Sequence, residues 1–416
     1  MTRTNDLETL QERHADLVGR ELGLDLTRGK PSPDQLALSE DLDGILDGDF
    51  HGADGTDLRN YGGTTAGIAE VGAWLMDVPA GNVHAGNNAS LEFMWHVVAL
   101  HHIFGVDGPD TAWRHRDAPK VLCPVPGYDR HFSVTERMGI EMVPVPMGAD
   151  GPDMDVVEDL VRADPDIVAM WCVPKYANPT GVVYGDDVVD RIARLATIAG
   201  PHFRVLWDNA YAGHDLTDEP EVLASAWEAC TRHDTLASVI HFASTSKITF
   251  AGSGVAFIGA STDNLAALRH HLSLVTIGPD KVNQQRHVRF FPDRPTLIDH
   301  MAQHATILRP KFELVAESME SELDPDGAHG RWTTPQGGYF VSFWSQPGLA
   351  SEIVALAAEA GVALTPAGAA FPYRSDPDDS HIRLAPSFPS LEELTMAMEV
   401  FTTCVRLATA RRAAEG

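Results

Sequence analysis

From residue 120 to residue 260 the chain repeats one unit, an uninterrupted apolar run followed by a stretch of helical period. The runs are Lys120–Cys123, Met142–Val145, Ile167–Cys172, Phe203–Trp207, Ser238–Phe242 and Val255–Ala260. Between them, residues 129–138, 155–162 and 188–199 read as helices. A strand without polar alternation must be covered on both faces, so this pattern predicts a mostly parallel central sheet with helices on both sides. After about residue 290 the rhythm changes. A long helix is expected over Thr296–Ser321, then a strand near Gly338–Phe343, a helix over Ser351–Ala360, a strand His381–Leu384 and a last helix over Leu391–Arg411. The fold class is therefore α/β, with a smaller α+β domain. We expect residues 1–50, whose first element is a helix over 5–22, to join the small domain, 51–290 to form the large one, and 291–416 to form the C-terminal one.

A chain of 416 residues is long enough for two cores. Its 59 acidic against 31 basic residues give a formal net charge of -28, which argues against nucleic acid or an anionic membrane as partner. Any site for acids must then carry its own cations. Cys123, Cys172, Cys230 and Cys404 are scattered, without metal-ligand spacing, and read as buried thiols of a reducing compartment. The N-terminus has no apolar signal-like core and no segment reaches membrane-span length, so a cytoplasmic location is expected.

In sheets of this kind ligands bind at the carboxyl ends of the strands. Three loops stand there. Val173–Gly181 contains Asn178-Pro179-Thr180-Gly181, Asp208-Asn209-Ala210-Tyr211 follows the run ending at Trp207, and Ser244-Thr245-Ser246-Lys247 follows the run ending at Phe242. A lone loop lysine is ordinarily solvated, and only its partners give Lys247 another reading. Burial would lower its pKa and leave an amine able to form an imine. A carboxylate can keep a pyridine nitrogen protonated, while an amide and a phenol can bond a phenolate oxygen. Together these groups meet the requirements of pyridoxal 5'-phosphate. Upstream, Asn82–Leu91 offers small polar residues before a helix, where unpaired first-turn N–H groups favour an anion; an ordinary helix cap is the alternative.

On these three motifs, in this order, the chain resembles the fold-type I pyridoxal-phosphate aminotransferases. Arg28-Gly29-Lys30-Pro31, Pro126–Phe132, Ile277–Gln284 and Arg383–Ser387 are similar to the divergent actinobacterial branch of aspartate aminotransferases. The resemblance covers nearly the whole chain. It implies that Lys247 holds the cofactor as an imine and then moves the substrate α-proton, that Asp208 pairs with the pyridinium nitrogen, and that Asn178 and Tyr211 bond the ring's 3-oxygen. It places Tyr128 over the ring, Asn87 and Asn88 at the phosphate with Ser244 and Ser246, and Tyr61 across a homodimer interface at the partner's phosphate. Arg383 would grip the α-carboxylate, where a planar fork suits better than an ammonium. Gly29 would meet the substrate through its backbone.

One departure stands out. Many relatives carry an arginine on the phosphate shortly after the lysine, where this chain reads Gly252-Ser253-Gly254-Val255, so Ser253 and backbone N–H groups are expected to serve instead. No motif fixes the reader of a distal carboxylate. Arg130, two residues beyond Tyr128, is the expected one, with Lys30 and Arg286 behind it. The expected reaction is ping-pong amino transfer from L-aspartate to 2-oxoglutarate. The alternative is the same fold acting on aromatic amino acids or kynurenine. A dinucleotide-binding reading of Gly252-Ser253-Gly254 fails because this Gly-x-Gly precedes a strand instead of opening a helix. A DNA-binding regulator built on the same fold is disfavoured by the charge.

Overall fold

The structure, a computed structural model, describes residues 2–323 and 327–415. Its centre is an eight-stranded sheet in which Val239–Ser244, Arg204–Asp208, Ile167–Cys172 and Lys120–Val125 lie side by side and parallel. Cys172 stands opposite Trp207, and Asp208 opposite Phe242, so the three loops singled out above leave one edge of the sheet together. Ala256–Gly259 runs antiparallel to Val239–Ser244, which makes the Lys247 segment the connection between neighbouring strands. Successive strand residues feed opposite cores. Val121, Cys123 and Trp171 pack with Phe93, Val97 and Phe132, while Leu122, Cys172 and Trp207 pack with Val157 and Ile192 on the other face. This two-sided burial is why the strands read as continuous apolar runs.

A second unit is built on the helix Arg294–Glu322 and the antiparallel strands Arg331–Trp332, Val341–Trp344 and His381–Leu384, with helices Ala350–Glu359 and Leu391–Glu415. The N-terminal segment belongs to its core. Leu10, Leu17 and Leu26 are buried with Ile353, Phe401 and Val405, and Leu24–Asp25 pairs with Val362–Ala363.

Two elements end earlier than their periodicity suggests. The first helix covers Thr2–Gly19 instead of running to 22, because Glu21 takes a left-handed conformation (φ 50°) that a right-handed helix cannot continue. The apolar stretch 93–104 is α-helical from Ser90 only to Ala99, then closes in a wider π turn, Leu100–Phe104, ending at Gly105 (φ 74°). All four cysteines are free and buried, and burial pushes the Cys230 thiol up to about 11. Among the described residues no helix is long and apolar enough to cross a membrane.

Leu17 ties the N-terminal helix to the second core and is fully buried. Leu17→Ala should cost about 2–5 kcal/mol of stability, read as a lower midpoint in denaturant unfolding followed by circular dichroism.

Candidate active site

Asp208, the last residue of its strand, is buried at the foot of the strand-end cleft. Its Oδ2 lies 3.0 Å from Nε2 of His131, and that imidazole is stacked on Trp171 at 4.1 Å and met edge-on by Tyr128. Oδ1 of Asp208 is buried with no hydrogen-bond partner among the described residues. A buried carboxylate oxygen left open is costly unless a donor arrives from outside the chain, so this oxygen fits a protonated ring nitrogen.

Above it opens a cavity of about 530 Å³ between the two units. Of the residues singled out from the sequence, Gly29, Tyr128, Arg130, Asn178, Tyr211, Lys247 and Arg383 all line it. The Lys247 ammonium lies 5.1 Å from the centre of the Tyr211 ring. Burial lowers the lysine pKa and Asp208 opposes that shift in part, so desolvation decides the direction. Tyr211 is held well above its ordinary pKa, first by burial, and keeps its hydroxyl proton as a donor.

The backbone that carries Lys247 is pinned from the second unit. Its carbonyl oxygen accepts from the Tyr339 hydroxyl at 3.2 Å and lies 3.3 Å from His214 Nε2. The next carbonyl, of Ile248, has His300 and His304 nitrogens at 2.8 and 2.9 Å. Burial lowers His214 to about 3 and His304 to about 4, so both are neutral near pH 7 and add no charge beside the amine.

Arg383 lies deep. Its Nη1 donates to Asn178 Oδ1 at 3.2 Å and to Asp129 Oδ1 at 3.4 Å, Nη2 donates to the Thr27 carbonyl, and the guanidinium rests 4.7 Å above the Phe340 ring. Nε is buried without a partner among the described residues. Because Asn178 accepts through Oδ1, its amide N–H₂ is turned elsewhere and remains a donor.

The expected phosphate residues form a separate cluster. Ser246 Oγ donates to the Asn88 carbonyl at 2.7 Å, Ser246 N–H donates to Ser244 Oγ, and Asn88 donates to the Gly252 carbonyl. Ser253 Oγ is engaged by Asn283 Oδ1 at 3.3 Å, and Asn87 Oδ1 accepts from the Asp280 N–H. The helix that follows, Ser90–Ala99, starts at Ala89 with no side-chain cap, which leaves first-turn N–H groups for an anion. Gly254 is required here, since a Cβ would stand 2.8 Å from the Ser246 nitrogen.

Of the residues expected at the substrate, Lys30 and Arg286 are not brought to the cavity, and Tyr61, expected at a partner's phosphate, lies outside it as well. Tyr61 is 82% exposed on its own loop. Lys30 is drawn onto the Phe388 ring, its ammonium 3.7 Å from the centroid. Arg286 lies half-buried in the helix Lys281–Phe290. Sequence reasoning also missed residues. His131 sits three after Tyr128, one helical turn on, and that spacing was the available signal. Arg28 and Arg374 line the cavity, and Arg374 belongs to no motif. Lys281 is buried beside Gly62 with no partner for its ammonium among the described residues.

Lysine, buried aspartate and deep arginine at the strand ends of a mostly parallel sheet define a fold-type I aminotransferase. The chain matches the aspartate amino-transferase family model over residues 2–416, and it belongs to that family. It is 46% identical over 409 residues to the aspartate aminotransferase of Corynebacterium glutamicum, covering 97% of this chain and 93% of that one. A crystal structure of an aspartate transaminase from the same organism superimposes with a TM-score of 0.94 at 44% identity, over 99% of this chain and 97% of the other. The fold extends further, to the α-aminoadipate aminotransferase of Thermus thermophilus, with a TM-score of 0.75 at 20% identity over 95% of each chain.

The Lys247 amine gives a test with a definite sign. Its folded pKa is depressed, so the folded state resists protonation where the unfolded chain, with a lysine pKa near ~10.4, accepts it. Stability from this group is therefore present above the unfolded value and lost as pH falls from there toward the folded one. Lys247→Met should raise the unfolding midpoint of cofactor-free protein at pH 7, with the gain shrinking as pH rises toward ~10.4 and absent above it, as measured by calorimetry.

Proposed function

We propose that the protein is an aspartate aminotransferase, moving the amino group of L-aspartate to 2-oxoglutarate with pyridoxal 5'-phosphate as cofactor. One observation carries the reading: Lys247 and Arg383 line a single cavity, and the buried Asp208 that acts on Lys247 has an oxygen free to accept. The named aspartate aminotransferase of C. glutamicum supports the substrate. The T. thermophilus enzyme, whose structure holds a phosphopyridoxyl-leucine adduct, supports the cofactor.

Asp208 would accept from the ring nitrogen, with His131 fixing the carboxylate from below. Asn178 and Tyr211 would donate to the 3-oxygen. The phosphate would meet the uncapped helix start at Ser90, with Asn87, Asn88, Ser244, Ser246 and Ser253 around it. When bound, the pyridine ring supplies an electron sink for the pair left at the α-carbon and holds the amino group between the two halves of the cycle.

The chain's own work is positioning and proton movement. Arg383 offers Nε and the edge of its guanidinium to the α-carboxylate while Asp129, Asn178 and Thr27 keep its plane fixed. Lys247, whose pKa burial lowers, would take the α-proton and return it. Tyr128 would cover the ring from above. The second half runs the same steps in reverse with 2-oxoglutarate. The same reading makes the protein a homodimer in which the exposed Tyr61 reaches the partner's phosphate, and it divides the chain at 51–290 and 291–416, with 1–50 joining the latter.

Purified protein should absorb in the visible when reconstituted with pyridoxal phosphate, and aspartate should bleach that band. Turnover of aspartate with 2-oxoglutarate should exceed that of kynurenine or phenylalanine in a steady-state panel. Lys247→Ala should lower kcat by about 10³-fold or more, and Arg383→Gln should raise the aspartate KM by about 100-fold. Equal use of kynurenine and aspartate would overturn the substrate assignment.

A further inference from the structure

We infer that the distal carboxylate of the dicarboxylic substrate is read by Arg374 of the same chain, in place of Arg130. This rests on the aspartate reading above and assigns to it the residue that sets specificity. Four arginines line the cavity, Arg28, Arg130, Arg374 and Arg383. A dicarboxylate with four or five carbons needs two of them at different depths. Arg383 is the deep one, buried and locked by Asn178, Asp129 and Thr27.

The other three differ in what already neutralises them. Arg130 has its Nε 3.9 Å from Oδ2 of Asp129, the same carboxylate that bonds Arg383, so it shares an anion already in use. Arg28 lies in the field of Asp25, whose carboxyl it and Lys30 help to hold below its ordinary range. Arg374 is exposed, and among the described residues no carboxylate is paired to it. A desolvated substrate carboxylate gains most from a cation with no competing anion.

The backbone under Arg374 points the same way. Tyr373 and Arg374 are consecutive non-glycine residues in the left-handed region, both with φ 57°. Side chains rarely adopt that conformation, and such outliers persist only where surrounding contacts fix them. Those contacts are present. The Tyr373 hydroxyl accepts from the Met142 N–H at 3.0 Å, and the Ala370 carbonyl accepts from the Gly127 N–H at 2.8 Å. The turn is thus tied to the large sheet on the side of Tyr128. Gly368 (φ 80°) lets the loop fold on itself, since a Cβ there would lie 2.4 Å from the Arg374 carbonyl. The same loop brings Thr365, Pro366 and Ala367 to the cavity, so Arg374 stands on a wall, not on a free surface arm.

The test compares succinate with butyrate, two inert acids of the same chain length that differ by one carboxylate, by calorimetric titration of the pyridoxal-phosphate holoenzyme. Arg374→Gln should weaken succinate by about 10- to 100-fold and leave butyrate unchanged. Arg374→Lys should recover part of the loss, a point charge replacing a fork. Arg374→Gly removes the side chain and relieves the left-handed strain, so it should lose succinate while raising the unfolding midpoint. Unchanged succinate affinity in Arg374→Gln, a parallel loss of butyrate, or the whole loss reproduced by Arg130→Gln alone would each overturn the assignment. A wild-type enzyme that turns over aspartate poorly and binds succinate no better than butyrate would instead overturn the substrate reading on which it rests.

Discussion

A carboxylate buried at the end of the central strand, one oxygen satisfied by His131 and the other by nothing among the described residues, organises everything around it. Left ionised and half-paired, such a group costs stability, and natural proteins keep one only where an external donor completes it. Its neighbours serve that purpose. Trp171 presses flat on His131 and fixes the imidazole, and the strands on either side of Asp208 deliver the Asn178 loop and the Lys247 segment to the same edge. The parallel sheet is thus the reason that Asn178, Asp208 and Lys247, well separated in sequence, meet at one site.

The second unit acts on the site mainly through backbone. Tyr339 bonds the Lys247 carbonyl, and His300 and His304 bond that of Ile248, so the backbone that carries the lysine is held from the second unit. Neutral histidines suit this task. An ammonium or imidazolium at those positions would lower the lysine pKa further but would also compete for Asp208. With His214 and His304 shifted far below neutrality by burial, these histidines add no charge of their own to the field that Asp208 and the cavity arginines set around the amine.

Much of this was legible in the sequence, for a physical reason. Strands buried on both faces are apolar throughout, so Ile167–Cys172 and Arg204–Asp208 announce themselves, and the residues that follow them must lie at the ligand edge. Lys247, Asp208, Asn178 and Tyr211 could be read because each sits close to a strand end or inside a compact motif. His131 was harder, since it lies on a helix whose other buried residues, Phe132, Val134 and Thr135, make it look like core. Lys30 was misleading. A cation in a glycine loop suggested a ligand, but the chain returns Phe388 beside it from near its far end, and the ammonium settles on that ring. His300 and His304 answer to a carbonyl 52 and 56 positions upstream, which no local pattern encodes.

The charge distribution gives the cavity its selectivity at long range and at contact. A surface carrying a net -28 repels a dicarboxylate, so entry depends on the local field of four arginines gathered where the two units meet. Attraction alone would admit any anion. Discrimination comes from separating the cations by depth, with Arg383 sunk and locked and a second guanidinium nearer solvent. A substrate with one carboxylate satisfies the first and leaves the second hydrated at little cost, whereas a substrate with two must span both. Geometry of this kind favours an inner arginine that cannot move and an outer one fixed by its backbone, and the left-handed turn at Tyr373 and Arg374 supplies that fixation without occupying the side chain.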